Sequence, residues 1–310
     1  MALKVIKSNE QIEVTTLCIC IFSEPGLGKS TLAFTASKPI LLDFDKGAHR
    51  AGNRKDIVPI ESWSDLSRME ASDFDGYDTV IIDTAGRALD ALTLHIIKEF
   101  PKQGYNGALN QKGWGTLKSQ FVAFLNLIRS YGKDIVLIAH SVEERKADDL
   151  IIRLDVQGGS KGEIYKSADV MGRLSMENNQ RILSFNPTDA QFGKNPGQLP
   201  IVKLPDISST DWNDDALAKV FSETKDKLNS LSEAQSAELK RMANLKADFE
   251  AMETADEFNT VKASMAEAAP KDKALLVSIA TSKGLVYNKD ERLFEAQAEP
   301  EVESLSLIHI

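Results

Sequence analysis

Between residues 14 and 140 the chain alternates short, continuous apolar runs with segments whose apolar positions recur three and four apart. The runs at 14–22, 40–45, 79–83 and 134–140 are short and continuous, the first of them rich in β-branched residues, and each predicts a buried strand. Helical spacing appears at 30–37, 88–99 and 117–131, the first stopped by Pro39. That alternation predicts an α/β fold, a mainly parallel sheet between helices. Ligands of such sheets sit at the carboxyl ends of the strands, which gathers Asp43, Asp45, Asp83 and His140 on one edge. Residues 170–175 and 181–185 flank a polar turn and predict a hairpin. Two polar, glycine-bearing stretches, 101–118 and 143–162, are expected to be long loops, and such loops in compact domains tend to carry function. A shorter glycine-bearing loop spans 191–197, and residues 1–13 read as an edge or a loose arm.

From about residue 207 the texture changes to Ala, Glu, Lys and Leu at helical spacing, over 216–231, 233–252, 255–269 and 271–283 around Pro270. Two regions are therefore expected: an α/β domain over 1–206 and an acidic helical region over 207–304. The latter ends in a polar segment, 286–304, with the composition of a disordered tail. The last six residues, 305–310, read as the translation of a transposon adapter used in DNA library preparation; they are set aside, and the natural C-terminus is expected to differ.

Charge sharpens this division. The net charge of -9 is uneven, with 25 basic and 26 acidic residues in 1–206 against 12 and 20 in the remainder. A near-neutral first region neither demands nor excludes nucleic acid, because binding depends on local patches. No apolar run approaches the ~18 residues of a membrane span, so a soluble, cytoplasmic protein is expected. Cys18 and Cys20 alternate on one strand without partners at metal-site spacing, and read as core residues.

The candidate chemistry starts at residues 23–31, SEPGLGKST, between the first strand and the first helix. In the pattern GxxxxGK[ST] backbone N–H groups close around phosphates, the lysine reaches the β/γ oxygens and the hydroxyl ligates Mg²⁺. Gly28, Lys29 and Ser30 fill those places, with Glu24, Pro25, Gly26, Leu27 and Thr31 completing the cradle; Ser23 stands where the pattern has its first glycine. Behind such a loop, Asp83 at a strand end is the expected Mg²⁺-side carboxylate. Asp45 is the candidate for orienting or deprotonating a water, the other reading being that Asp43 or Asp45 caps the next turn. His140 either reports the γ-phosphate to the segment after it or is a satisfied strand-end histidine. Lys102, Lys112, Trp114, Lys118 and Lys161 are of types that pair with phosphates and stack on bases, or else simply face water, as does Tyr105. Lys194 is a candidate finger toward a neighbouring subunit's nucleotide, or a solvated loop lysine.

The order of these parts resembles the RecA-like ATPase core, and more closely phage-encoded nucleotide-binding proteins of that superfamily, including minimal single-strand annealing proteins. SEPGLGKST is similar to Walker A and VIIDTAG to Walker B at Asp83. ILLDFDKG is similar to the strand that ends in the catalytic carboxylate, at Asp45, and LIAHS to the sensor strand, at His140. The resemblance covers about residues 14–206. It implies a RecA-like P-loop NTPase fold, ATP and Mg²⁺ as cofactors, and a ring or filament of identical subunits. It also implies single-stranded DNA as partner through 101–118 and 143–162, in recombination or replication, while the acidic tail could recruit a single-strand-binding protein. The chain departs from the family pattern at Ser23, at Asp45 in place of Glu and at His140 in place of Gln.

Three rivals stay open. Asp83-Thr-Ala-Gly-Arg87 also matches signal-recognition GTPases, although Ile138-Ala-His-Ser141 lacks their guanine-selecting motif. The other two are a nucleotide-dependent assembly module without turnover and a replicative helicase.

Overall fold

The computed structural model describes residues 5–146, 149–157, 160–206 and 215–296, so the segment at 305–310 lies outside the described residues. The chain divides into two compact units, Glu13–Ser230 and a second made of Met1–Ile12 with Leu231–Ile310.

The larger unit is built on β1 (Cys18–Ser23), every residue of which is buried. Its side chains alternate between two cores. Cys18, Cys20 and Phe22 join one, and Ile19 and Ile21 the other. A strand apolar on both faces has to lie mid-sheet. It is flanked in parallel by β7 (Asp134–Lys146) and β9 (Val170–Glu177). Outward from β7 come β4 (Thr79–Asp83), β2 (Pro39–Asp43) and β3 (Asp56–Pro59), all parallel. β10 (Gln180–Ser184) and β11 (Val202–Leu204) extend the other side antiparallel. β7 thus lies between the phosphate-loop strand and the strand of Asp83. This is the mainly parallel sheet expected from the sequence, with helices on both faces.

One face is covered by α2 (Ala85–Glu99) and α3 (Gln111–Ser130), through Leu89, Leu92, Phe121 and Ile128. The other is covered by α1 (Lys29–Ala33) and by the first turns of α5 (Ala216–Glu250), through Leu32, Leu217, Val220 and Phe221. The buried Thr35 hydroxyl accepts a hydrogen bond from the amide of Leu217 at 2.9 Å, fixing where α5 starts. The unit boundary accordingly falls within α5, past the change of composition at 206–207.

Three sequence expectations change. The stretch 101–118 is mostly ordered secondary structure. A turn at Pro101–Gln103 leads into a small hairpin, β5 (Gly104–Tyr105) and β6 (Ala108–Leu109), after which α3 begins at Gln111, capped by the Asn110 side chain. The described residues of 143–162 are likewise mostly ordered secondary structure: β7 runs on to Lys146, β8 (Asp149–Leu154) pairs with it antiparallel, and α4 (Ser160–Ser167) follows. Ile152 and Leu154, buried on one face of β8, give this hairpin its hold on the core.

The third change is in the smaller unit, which contains the rest of α5, α6 (Ala255–Ser264), α7 (Pro270–Ser282) and a hairpin of β12 (Leu285–Asn288) and β13 (Leu293–Ala296). The hairpin occupies part of the segment expected to be disordered. Of its apolar residues, Leu285 and Phe294 are buried with Phe249, Phe258 and Leu276, whereas Val286 and Leu293 stay exposed. The N-terminal arm is not loose either: Ser236 donates to the carbonyl of Asn9, and the amide of Ile12 to Ser232.

Candidate nucleotide site

The carboxyl ends of β1, β4 and β2, with the middle of β7 at His140, open into a cleft of about 530 Å³, lined by the phosphate loop, Asp45, Gly47, Arg50, Ala51, Asp83, Thr84 and His140. Sheet register does most of the positioning. Ser23 pairs with His140, and Asp83 lies between Asp43 and Ile138 on the neighbouring strands.

The loop itself turns on two glycines. Gly26 and Gly28 sit at φ +83° and +90°, a region costly to any residue with a Cβ, and Gly28 is the residue that opens α1. Ser23 has no such need. As the buried last residue of β1 it is extended, so the missing first glycine removes nothing from the turn. Its carbonyl and hydroxyl oxygens instead accept from the Lys29 ammonium, each at 3.1 Å, and the Glu24 carbonyl accepts at 2.9 Å. Pro25, Gly26, Gly28, Lys29, Ser30 and Thr31 line the cleft, whereas Glu24 is exposed and Leu27 packs on the core under α1.

Ser30 donates its hydroxyl proton to Asp83 at 2.6 Å, joining the two residues expected at the metal. Among the described residues no group of three or more His, Cys, Asp or Glu could hold a metal by itself. The Ser30 hydroxyl and the Asp83 carboxylate are the hard oxygen donors that Mg²⁺ takes, one or two of them from protein, with phosphates and water completing its octahedron. Bound there, it would supply charge neutralisation for phosphate oxygens; Ser30 and Asp83 are the residues that would hold it.

The cleft is electrostatically tense. Burial pushes the Asp83 carboxyl up to about 6, against the opposing bond from Ser30. Burial also holds the Lys29 ammonium down to about 8, despite the nearby charges of Asp83, Asp45 and Glu24. His140 is held below its ordinary value by burial first and by the Lys29 charge second, and its buried Nδ1 has no partner among the described residues. An unsatisfied ring nitrogen facing a polar cleft is able to take a hydrogen bond from a ligand or water.

The two aspartates after β2 divide the alternatives left open by the sequence. Asp43 is buried and accepts from the amides of Gly47 and Ala48, each at 3.3 Å, so it is the turn-capping residue. Asp45 points into the cleft. There it is gripped by Arg50 at 3.0 Å and, from the first turn of α2, by Arg87 at 3.6 Å.

With this geometry in place, the family match is informative: residues 15–196 match the model of the AAA domain. The chain belongs to the AAA-domain family. No curated protein sequence matches it. Solved structures similar to it include an ATPase domain, at 12% identity over 61% of this chain and 80% of that one, TM-score 0.36. Flagellar accessory protein FlaH from Methanocaldococcus jannaschii is 14% identical over 54% and 75%, TM-score 0.32. A type III secretion system ATPase of pathogenic bacteria is 13% identical, TM-score 0.34, and the alignment spans about half of each chain, 51% of both.

The AAA domain brings Lys29, Ser30, Asp45, Asp83 and His140 into the one cleft, and the residues expected to touch DNA lie outside its lining. Lys102 lies in the turn before β5 and is exposed, as is Lys112 at the start of α3. Trp114 is partly buried, packed against the core. Lys118 pairs with Glu163 at 4.0 Å, and Lys161 with Glu144 at 3.0 Å. Lys194 donates to the carbonyl of Ala168 at 2.6 Å, so its ammonium is engaged within its own chain. Sequence reading missed Arg50 and Arg87. Nothing in the sequence marks Arg50, and Arg87 stands out only as the end of the Asp83–Arg87 signature; the turn after β2 and the start of α2 bring both to Asp45.

Proposed function

We propose that this AAA-domain protein binds Mg-ATP in the cleft and hydrolyses it, as a phage-type RecA-like ATPase acting on single-stranded DNA in recombination or replication. The observation carrying the hydrolytic part is the Ser30–Asp83 bond at 2.6 Å in a cleft that also holds Lys29, Asp45 and His140. Lys29 and the loop amides hold the phosphates, Ser30 and Asp83 hold Mg²⁺, Asp45 orients the attacking water, and His140 hydrogen-bonds toward the γ-phosphate. The DNA part draws its support from β7, which carries His140 and continues without a break into the β7–β8 hairpin. A change at His140 has a short covalent route to an exposed element. Subunits are expected to assemble as a ring or filament in the cytoplasm, with the acidic C-terminal region available to a single-strand-binding protein.

The test is the ATPase rate with and without single-stranded DNA, alongside an annealing assay. Wild-type turnover should rise with DNA, and Lys29→Ala should lose about 10²-fold or more. Full turnover in Lys29→Ala would sink the mechanism. Turnover without DNA binding or stimulation would remove the DNA role alone, and preference for GTP over ATP would favour a targeting GTPase. Nucleotide-dependent assembly without turnover would make the protein an assembly module.

A further inference from the structure

The cationic equipment of the cleft is larger than the phosphate loop provides. Arg50 lies on the turn Ala48–Arg50 after β2 and lines the same cleft as Lys29 and Ser30. Its guanidinium is two-thirds exposed and, among the described residues, makes one ion pair, to Asp45. The turn is shaped for that reach: a Cβ at Gly47 would come within 2.0 Å of the Arg50 guanidinium nitrogen and 3.0 Å of the Asp45 carboxylate. Asp45 is meanwhile held from its far side by Arg87, which lines a separate, smaller cavity and also pairs with Asp90 at 3.4 Å. A carboxylate whose two oxygens are each engaged by a guanidinium group has fewer lone pairs free to take a hydrogen bond from an attacking water.

We infer that Arg50 is a phosphate-binding residue of this site, parked on Asp45 until nucleotide arrives, and that its transfer to the nucleotide's phosphates is what frees Asp45 to act. The inference rests on the ATPase reading above. A guanidinium fork matches phosphate oxygens at least as well as carboxylate oxygens, so a triphosphate in the cleft competes for it directly. The exchange conserves charge pairing: one anion is traded for another. Arg87, anchored to α2 and to Asp90, has a second acid to hold it and remains behind.

A double-mutant cycle on ATP affinity tests this, using the full-length protein and calorimetric Kd values. Arg50→Ala should weaken ATP binding about tenfold, while Arg87→Ala should change it less than about threefold. Asp45→Asn removes the parking place. In that background Arg50 no longer has to leave a partner, so the penalty of Arg50→Ala should grow. If Arg50 merely screens the Asp45 charge, the penalty should vanish in the Asp45→Asn background, and the inference is overturned. Equal losses in Arg50→Ala and Arg87→Ala overturn it as well. Arg50→Lys, which keeps the charge and loses the fork, should recover part of the affinity; no recovery in a variant with wild-type melting behaviour also counts against it. Failure of the wild type itself to bind ATP would instead refute the ATPase reading.

Discussion

His140 shows how one side chain's environment sets its chemical form. Burial and the Lys29 ammonium both disfavour the imidazolium, so the ring is neutral at pH 7 and can exchange one hydrogen bond without carrying charge. A neutral amide should do the same work. His140→Gln is expected to keep turnover within about threefold, whereas His140→Ala, which removes the hydrogen-bonding group, should lose about tenfold or more. Because the folded pKa is depressed, no rise or fall assignable to His140 should appear above its ordinary value of 6.5 in the pH–rate profile of the wild type. A limb near pH 7 that disappears in His140→Gln would show the ring to be charged in the working enzyme. Ser23 carries a second lesson at this scale. Its departure from the phosphate-loop pattern is visible in the sequence, but its harmlessness is not, because that depends on Gly26 and Gly28 alone occupying positive φ within the loop.

Among elements, the β12–β13 hairpin is the one whose order the sequence conceals, and it offers a direct test. Phe294 is buried against Phe258 and Tyr287, with ring centroids 5.9 Å and 5.2 Å away. Phe294→Ala should cost about 3–5 kcal/mol in urea unfolding of the smaller unit, with ATP affinity unchanged. A cost below about 1 kcal/mol would mean that the hairpin contributes little. The elements that could be read from sequence share a property: β2, β4, β1 and the first half of β7 are apolar on both faces, so burial is written in every residue. β12 and β13 each bury one residue and leave an apolar neighbour, Val286 and Leu293, in solvent, so burial does not follow residue type there. The outer half of β7 reads SVEERK and pairs through its backbone with a partner strand that composition hides. α3 begins before its apolar spacing does, because Asn110 and the buried Gly113 set its first turn against the carbonyl of Gln103. The candidate site was legible at Lys29, Ser30 and Asp83 because phosphate binding constrains residue type at fixed spacing. Arg50 lies outside any motif and Arg87 stands out only as the end of the Asp83–Arg87 signature, so their meeting at Asp45 is visible only in the fold.

For the molecule as a whole, the two units rest on different physics, and this makes them separable by pH. The larger is a sheet buried on both faces. The smaller adds to its modest core a charged lattice in which Arg241 bridges Glu238 on its own helix and Asp272 on α7, while Lys271 also reaches Glu238. The bonds from Arg241 first, and from Lys271 second, hold Glu238 down to about 2, well below the 4.5 of an unpaired glutamate. A depressed folded pKa contributes stability that is fully present above the unfolded value and is lost as pH falls through the folded one. The smaller unit should therefore weaken between about pH 4.5 and 2, more steeply in wild type than in Glu238→Gln, whose side chain cannot titrate. Helicity followed by circular dichroism through that range, at low and at high salt, checks it, with salt expected to narrow the gap because these side chains are half exposed. Parallel acid profiles for the two proteins would show the lattice to be decoration on a unit held by Phe249, Phe258, Leu276 and Phe294 alone.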